Sequence, residues 1–243
     1  KALPMFAAER AGLEALASTG AVRVPSPLAV GADEAHSWLI LEWLDLVPRD
    51  AALDARLGEA LAHLHRHTAS RFGWEEDNFI GATPQPNRWN EDWLSFWREA
   101  RLRFQLELLR RNGRGTAAFF ARAERLLESM DAFFAGYRPA ASLIHGDLWG
   151  GNAAAAGGTP VIFDPAVYYA DREAELAMTE LFGGFSRAFY DAYQATWPLD
   201  PGYATRKKLY QLYHLLNHAN LFGGGYLAQA EVVIDRLLSE VGA

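Results

Sequence analysis

The chain has 243 residues, half of them hydrophobic, and a net charge of −7, enough to bury a substantial core in one domain or in two lobes around a cleft. Acidity without a basic run interleaved with aromatics argues against a nucleic-acid partner, and the sequence holds no apolar run of the roughly 18 residues that a membrane-spanning helix needs. Zero cysteines exclude disulfides and thiolate chemistry and suit a reducing compartment, so a cytoplasmic location is expected.

Pro4 to Ser18 reads as a helix: Pro4 suits the first turn, Phe6, Leu13 and Leu16 recur on one face, and Gly20 stops it. Glu9 lies on that stripe, where a carboxylate needs a cation or hydrogen bonds unless it reaches water at the stripe's edge. Its candidate partner is Lys1, in the manner of the kinase glutamate and lysine that anchor the α/β-phosphates. Val22 to Val30, with prolines at 25 and 27, reads as an extended edge segment, and Ser37 to Glu42 as a buried strand. Glu42-Trp43-Leu44-Asp45 is then either an ordinary strand end or a hinge whose backbone could hydrogen-bond an adenine ring held between apolar side chains.

From Asp54 the chain turns helical. Leu57, Leu61 and Leu64 stripe one helix ending near Thr68, Trp93 to Arg110 forms another, and Ala117 to Phe134 a third. His63 and His67 stand four apart, but without an acidic or cysteine partner they read as solvated helix-end residues rather than metal ligands. The connection from Phe72 to Trp89, dense in Gly, Pro, Asn and aromatics, is expected beside the cleft or as a cover over core. Arg101 and Gln105, one helical turn apart, read as surface residues, with substrate contact as the alternative.

Ser142-Leu143-Ile144 and Pro160 to Phe163 read as short buried strands whose neighbouring ends carry acids. The first leads into His145-Gly146-Asp147-Leu148-Trp149-Gly150-Gly151-Asn152, the second into Asp164-Pro165, and the link between them, with Gly157-Gly158, reads as a hairpin turn. Asp147 and Asn152 have the spacing of the H-R-D-x-x-x-x-N loop, and Asp164 ends an apolar run as the D-F-G aspartate does. Phosphoryl transfer explains these residue types. Mg²⁺ takes carboxylate and amide oxygens beside phosphate and water, which suits Asn152 and Asp164 and leaves Asp147 to accept a hydroxyl proton. Turn and cap roles for both acids are the competing reading. Asp171, Glu173 and Glu175 open the next helix, where the dipole favours acids. Helices near Ser186 to Thr196, Tyr203 to Asn220 and Leu227 to Val241 complete an α-rich lobe.

These residues together resemble the fructosamine kinase (ketosamine-3-kinase) family, relatives of aminoglycoside and choline kinases. The resemblance covers nearly the whole chain, through Met5-Phe6 to Glu9, Val24-Pro25-Ser26-Pro27, Phe72-Gly73 to Asn78, Pro84-Gln85-Pro86-Asn87 and the His145 to Asn152 loop. Leu148-Trp149, Asp164 to Tyr169 and Leu181-Phe182-Gly183-Gly184-Phe185 point to this family specifically. It implies an α+β, protein-kinase-like two-lobed fold, with residues 1–45 as the remainder of a nucleotide-binding lobe plus hinge and 46–243 as an α-rich catalytic and substrate-binding lobe. No Gly-rich loop precedes Lys1, so a truncated β-rich N-terminal lobe is expected.

By the same resemblance, ATP and Mg²⁺ are the cofactors, Asp147 is the base, Asn152 and Asp164 hold the metal, and Lys1 and Glu9 anchor phosphates. Glu42, Trp43 and Leu44 bind adenine, Trp149 contacts the sugar, and His145 and Glu175 support the loop. The implied substrate is a ketoamine, free or protein-bound, phosphorylated on its 3-hydroxyl to an unstable ester that frees the amine. An aminoglycoside- or choline-type kinase, a catalytically silent kinase-like protein that binds nucleotide, and a metal-dependent hydrolase remain as alternatives.

Overall fold

The computed structural model describes residues 2–242. Helix α1, Leu3–Ser18, ends where Gly20 turns left-handed, and it lies against one face of an antiparallel ribbon of β1, Pro27–Ala32, and β2, Ser37–Leu41. The segment expected to be a buried strand is half-exposed, with Ile40 49% exposed, and the ribbon packs chiefly against α1.

Helix α2, Ala51–Leu64, is capped by Asp50, whose carboxylate accepts the Leu53 N–H. It ends before Thr68, which starts the two-residue strand β3, Thr68–Ala69. The long connection is ordered around a hairpin, β4, Asn78–Ile80, and β5, Thr83–Gln85. The expected second helix is α3, Trp93–Phe96, and α4, Phe104–Arg111, joined by a π-helical stretch at Trp97–Arg103. The third stops at Glu128, as α5, Ala117–Glu128, and a 3₁₀ turn follows at Met130–Phe134.

Strand β6, Ala141–Ile144, is wholly buried and runs between β3 and β9, Tyr168–Ala170. Strands β7, Ala153–Ala156, and β8, Thr159–Ile162, form a separate hairpin closed by Gly157-Gly158, both with positive φ. The alanine run after Asn152 is thus a strand, and the two acid-bearing strands belong to different sheets rather than pairing. Helices α6, Arg172–Phe182, α7, Arg187–Thr196, α8, Tyr203–Phe222, and α9, Gly225–Val241, complete the chain.

Two apolar clusters hold this together. Leu13 and Leu16 of α1 join Leu57, Leu61, Leu143, Leu148 and Phe189 in one, so the first helix is anchored in the same core as the strand and loop that carry the acids. The other packs α3 to α5 against α8 and α9. Among the described residues no helix is long and apolar enough to cross a membrane.

Candidate active site

The loop after β6 is shaped by close backbone contact. Gly146 has φ +86, and a Cβ there would sit 2.1 Å from the Ala166 carbonyl, so only glycine lets the chain turn at this point. The Ala166 N–H donates to the His145 carbonyl at 2.8 Å, and His145 Nε2 bonds the Phe163 carbonyl at 2.9 Å. His145 therefore brings the ends of β6 and β8 together although the strands do not pair. The Asp147 N–H donates to His145 Nδ1 at 3.3 Å, and burial lowers the imidazole's pKa, so the ring is neutral with its proton on Nε2.

Beneath the loop, the buried Glu175 carboxylate accepts the His145 and Gly146 N–H groups at 2.7 and 2.8 Å. Burial alone would raise its pKa, but the hydrogen bond from His65, followed by the backbone hydrogen bond from His145, holds it below the usual carboxylate value. His65 is fully buried and neutral, since burial lowers its pKa, so its 3.1 Å contact with Glu175 is a hydrogen bond rather than an ion pair. Its Nδ1 meets the Tyr193 hydroxyl at 2.8 Å, and Arg172 donates to that hydroxyl at 3.0 Å. The acids of α6 are thus not solvated dipole partners: Glu173 is buried too, in a bidentate pair with Arg206 at 2.7 and 3.0 Å.

Asp147, Asn152, Asp164, Trp149 and Glu9 line one pocket of 340 Å³, together with Asn78, Phe79 and Gly81 from the β4–β5 hairpin. The Asn152 Nδ2–H donates to the Asp147 carbonyl at 2.9 Å, and its Oδ1 has no hydrogen-bond partner among the described residues and can ligate a cation. Asp164, with φ +57, is the one non-glycine residue of positive φ among those described. Such a backbone costs about 1 kcal/mol or more and persists where surrounding structure holds it. Burial first, then the charges of Glu175 and Asp164, raise Asp147 to a pKa of about 7. Burial and Asp164 likewise raise Glu9 to about 7. An all-oxygen donor pair beside carboxylates that repel one another fits a hard divalent cation such as Mg²⁺.

Asp164 also lines a second groove, of 550 Å³, with Phe163, Leu41 and Glu42 to Leu46. Its walls are largely apolar and Trp43 is 86% exposed. The Glu42 carboxylate accepts the Ser26 N–H at 3.2 Å and lies 3.5 Å from Arg23, whereas Trp43, Leu44 and Asp45 make no backbone hydrogen bonds among the described residues. Lys1, the expected partner of Glu9, lies outside the described residues.

Trp149 is 41% exposed and its indole covers Gly151, where a Cβ would collide at 2.3 Å. Gly150 and Gly184 pack backbone to backbone, joining this loop to the Gly183-Gly184 turn after α6. Arg49 binds that turn: it pairs with Asp54 at 2.7 Å, donates to the carbonyls of Gly184 at 2.7 Å and of Ala153, and stacks on Phe185.

Arg101 and Gln105 are fully buried, not at the surface. Arg101 lies over the Tyr168 ring and binds the Pro86 carbonyl and Asn87 Oδ1, while Asn87 and Gln85 both donate to Asn78 Oδ1. Guanidinium stacking lets this cation sit in the core, and the network reaches the pocket wall at Asn78. The roles of Arg49, His65, Asn78 and Arg101 were missed from sequence. His65 had a signal, since it lies one turn after Leu61 on the buried stripe, and the others had none of comparable strength.

The sequence profile of the family described as fructosamine kinase matches residues 1–240. A probable ketoamine kinase of Synechocystis sp. is 48% identical over 236 residues, covering 96% of this chain and 79% of that protein. Protein-ribulosamine 3-kinase of Oryza sativa, a chloroplastic protein, is 42% identical over 238 residues, covering 96% and 69%. The crystal structure of a candidate fructosamine-3-kinase from Haemophilus somnus superposes with a TM-score of 0.89 at 30% identity, covering 98% and 80%. The aminoglycoside phosphotransferase APH(4)-Ia, solved with AMP-PNP and hygromycin B, shares the fold alone, with a TM-score of 0.61 at 18% identity over 100% of this chain and 84% of that one.

Proposed function

The chain belongs to the fructosamine kinase family, has the protein-kinase-like α+β fold and is a phosphotransferase acting on ketosamines; we propose that it moves the γ-phosphoryl group of ATP to the 3-hydroxyl of its ketosamine. The observation that carries this reading is the position of Asp164, shared by the apolar groove at Trp43 to Leu46 and by the pocket of Asp147, Asn152 and Trp149. A nucleotide with adenine in the groove and an acceptor in the pocket meet at that residue. On this reading residues 1–45 supply the nucleotide side and residues 46–243 the catalytic and acceptor side.

Open backbone groups at Trp43 and Leu44 hydrogen-bond the adenine edge, and apolar side chains cover its faces. Asp147 accepts the proton of the 3-hydroxyl as that oxygen attacks the γ-phosphorus and the bond to the β-phosphate oxygen breaks. Trp149 offers its face to the C–H groups of the sugar and fixes the hydroxyl's approach. Glu175 and His145 keep the Asp147 backbone in place, and Glu9 together with Lys1 orients the phosphates. Asn152 Oδ1 and the Asp164 carboxylate would hold Mg²⁺, which when bound neutralises charge on the phosphates. The 3-phosphate ester then eliminates inorganic phosphate, and hydrolysis of the resulting C=N bond by water releases the free amine and a dicarbonyl fragment of the sugar.

A coupled assay for ADP formation tests the proposal by comparing fructosyl and ribulosyl amines with aminoglycosides and choline. Turnover of the ketoamines, with the phosphate placed on the 3-oxygen by NMR, is expected. Turnover of aminoglycosides or choline alone overturns it.

A further inference from the structure

The rim of the catalytic pocket continues into an aromatic shelf that the chemistry above does not use. Gly150 lies against Gly183 and Gly184, which directly follow Phe182, and Gly81 at the hairpin tip lies against Leu221, which directly precedes Phe222. Beyond that edge Phe182 packs on the His218 imidazole with centroids 4.6 Å apart, and Phe222 and Tyr226 flank the same ring at 5.5 and 5.0 Å. The left-handed Gly223-Gly224 turn folds Tyr226 back onto Phe222. Phe222 is 68% exposed and the other three rings are partly exposed, so these aromatics face solvent beside the pocket rather than fill the core.

His218 gives the shelf a polar centre. It bonds the His214 carbonyl through Nδ1 at 2.8 Å, which assigns its proton to Nδ1 and leaves the Nε2 lone pair without a partner among the described residues. Burial lowers its pKa, so the ring stays neutral and keeps that lone pair at neutral pH. A hydrogen-bond acceptor on a ring flanked by three tilted aromatic rings suits an ammonium group, whose N–H bonds the acceptor while its charge is attracted to the rings.

We propose that Phe182, His218, Phe222 and Tyr226 form the subsite for the amine half of the ketoamine. The substrate's secondary ammonium donates to His218 Nε2, and the carbon stem that bore the amine lies over Phe222 and Tyr226. This rests on the kinase reading and extends it: Asp147 and Trp149 read the sugar, and the shelf distinguishes a ketoamine from a plain ketose, because a site that bonds an N–H loses affinity for a ligand lacking it.

Calorimetric titration and steady-state kinetics on His218→Phe and Phe222→Ala test the subsite, with the fructosyl derivative of lysine and the same ketose without its amine as ligands. Both substitutions are expected to raise Kd and KM for the lysine derivative about threefold to thirtyfold. The kcat should stay within about twofold and the Kd of the amine-free ketose unchanged, the signature of lost uniform binding. Phe222 is exposed, so its variant keeps the thermal midpoint. Unchanged affinity for the lysine derivative, or an equal loss for both ligands, overturns the proposal. Absence of ketoamine turnover in the unaltered protein would instead count against the kinase reading, and the titration, which needs no turnover, still decides the subsite.

Discussion

Asp147 is partly buried beside two other carboxylates, which is why a residue recognisable by spacing has an acidity that spacing does not reveal. Its pKa of about 7 without metal means that the base form is lost as pH falls through that value, and a bound cation moves the loss to lower pH. The pH profile of kcat/KM should therefore fall on the acid side at or below pH 7, and an acid limb that persists unchanged in the residual turnover of Asp147→Asn would remove the base assignment. Asp147→Asn should lower kcat about 10³-fold or more while leaving Mg·ATP affinity within about threefold by titration. Asp164→Asn should weaken metal-dependent nucleotide binding instead. At Glu175, replacing His65 with leucine leaves a buried carboxylate short of a donor, a loss of roughly 1.5–3 kcal/mol in stability, measurable by urea unfolding.

At the scale of elements, the site depends on turns that hold separate strands together. The β7–β8 hairpin carries Asn152 at its start and Asp164 after its end, and Arg49 ties it both to the segment that leads into α2 and to the Gly183-Gly184 turn. Asp54, the partner of Arg49, also accepts the Ser186 N–H at 2.6 Å. Removing the cation in Arg49→Met leaves that carboxylate unpaired in a nearly dry place, at a cost of about 3–5 kcal/mol, and loosens Ala153 and Gly184 together. A lowered thermal midpoint with a reduced kcat is the expected outcome. An unchanged midpoint would mean that solvent already screens the pair.

Across the whole molecule, acid sensitivity follows from histidines that fold in neutral. His214 is fully buried and held at a pKa of about 3, by burial first and then by the charges of His218 and Arg101, against about 6.5 in an unfolded chain. The unfolded chain binds the proton first, so stability present above pH 6.5 is lost as pH falls towards 3, by about 1.4 kcal/mol per pH unit for this one group. Urea midpoints between pH 6.5 and 5 should drop steeply, and His214→Gln should remove one proton's share of that slope. An equal slope in the variant would exclude His214 as a source.

The sequence alone determined the His145 to Asn152 loop and where helices follow residue 46, because the spacing of Asp147 and Asn152, the apolar run before Asp164 and the leucine stripes are local patterns. The Leu148-Trp149 and Leu181 to Phe185 stretches carried the resemblance to the family. The π-helical break that divides the second of those helices into α3 and α4 was not among these patterns. Tertiary structure decided what those patterns could not carry. Ser37 to Glu42 reads as buried and is half-exposed, since burial depends on what covers a strand. Arg101 looks like a surface residue and lies in the core, since Tyr168, Pro86 and Asn87 reach it from elsewhere in the chain. His65 meets Glu175 and Tyr193, Arg49 meets Ala153 and Gly184, and Phe182 meets His218 across long stretches of chain, and only folding places these partners within hydrogen-bond or stacking distance.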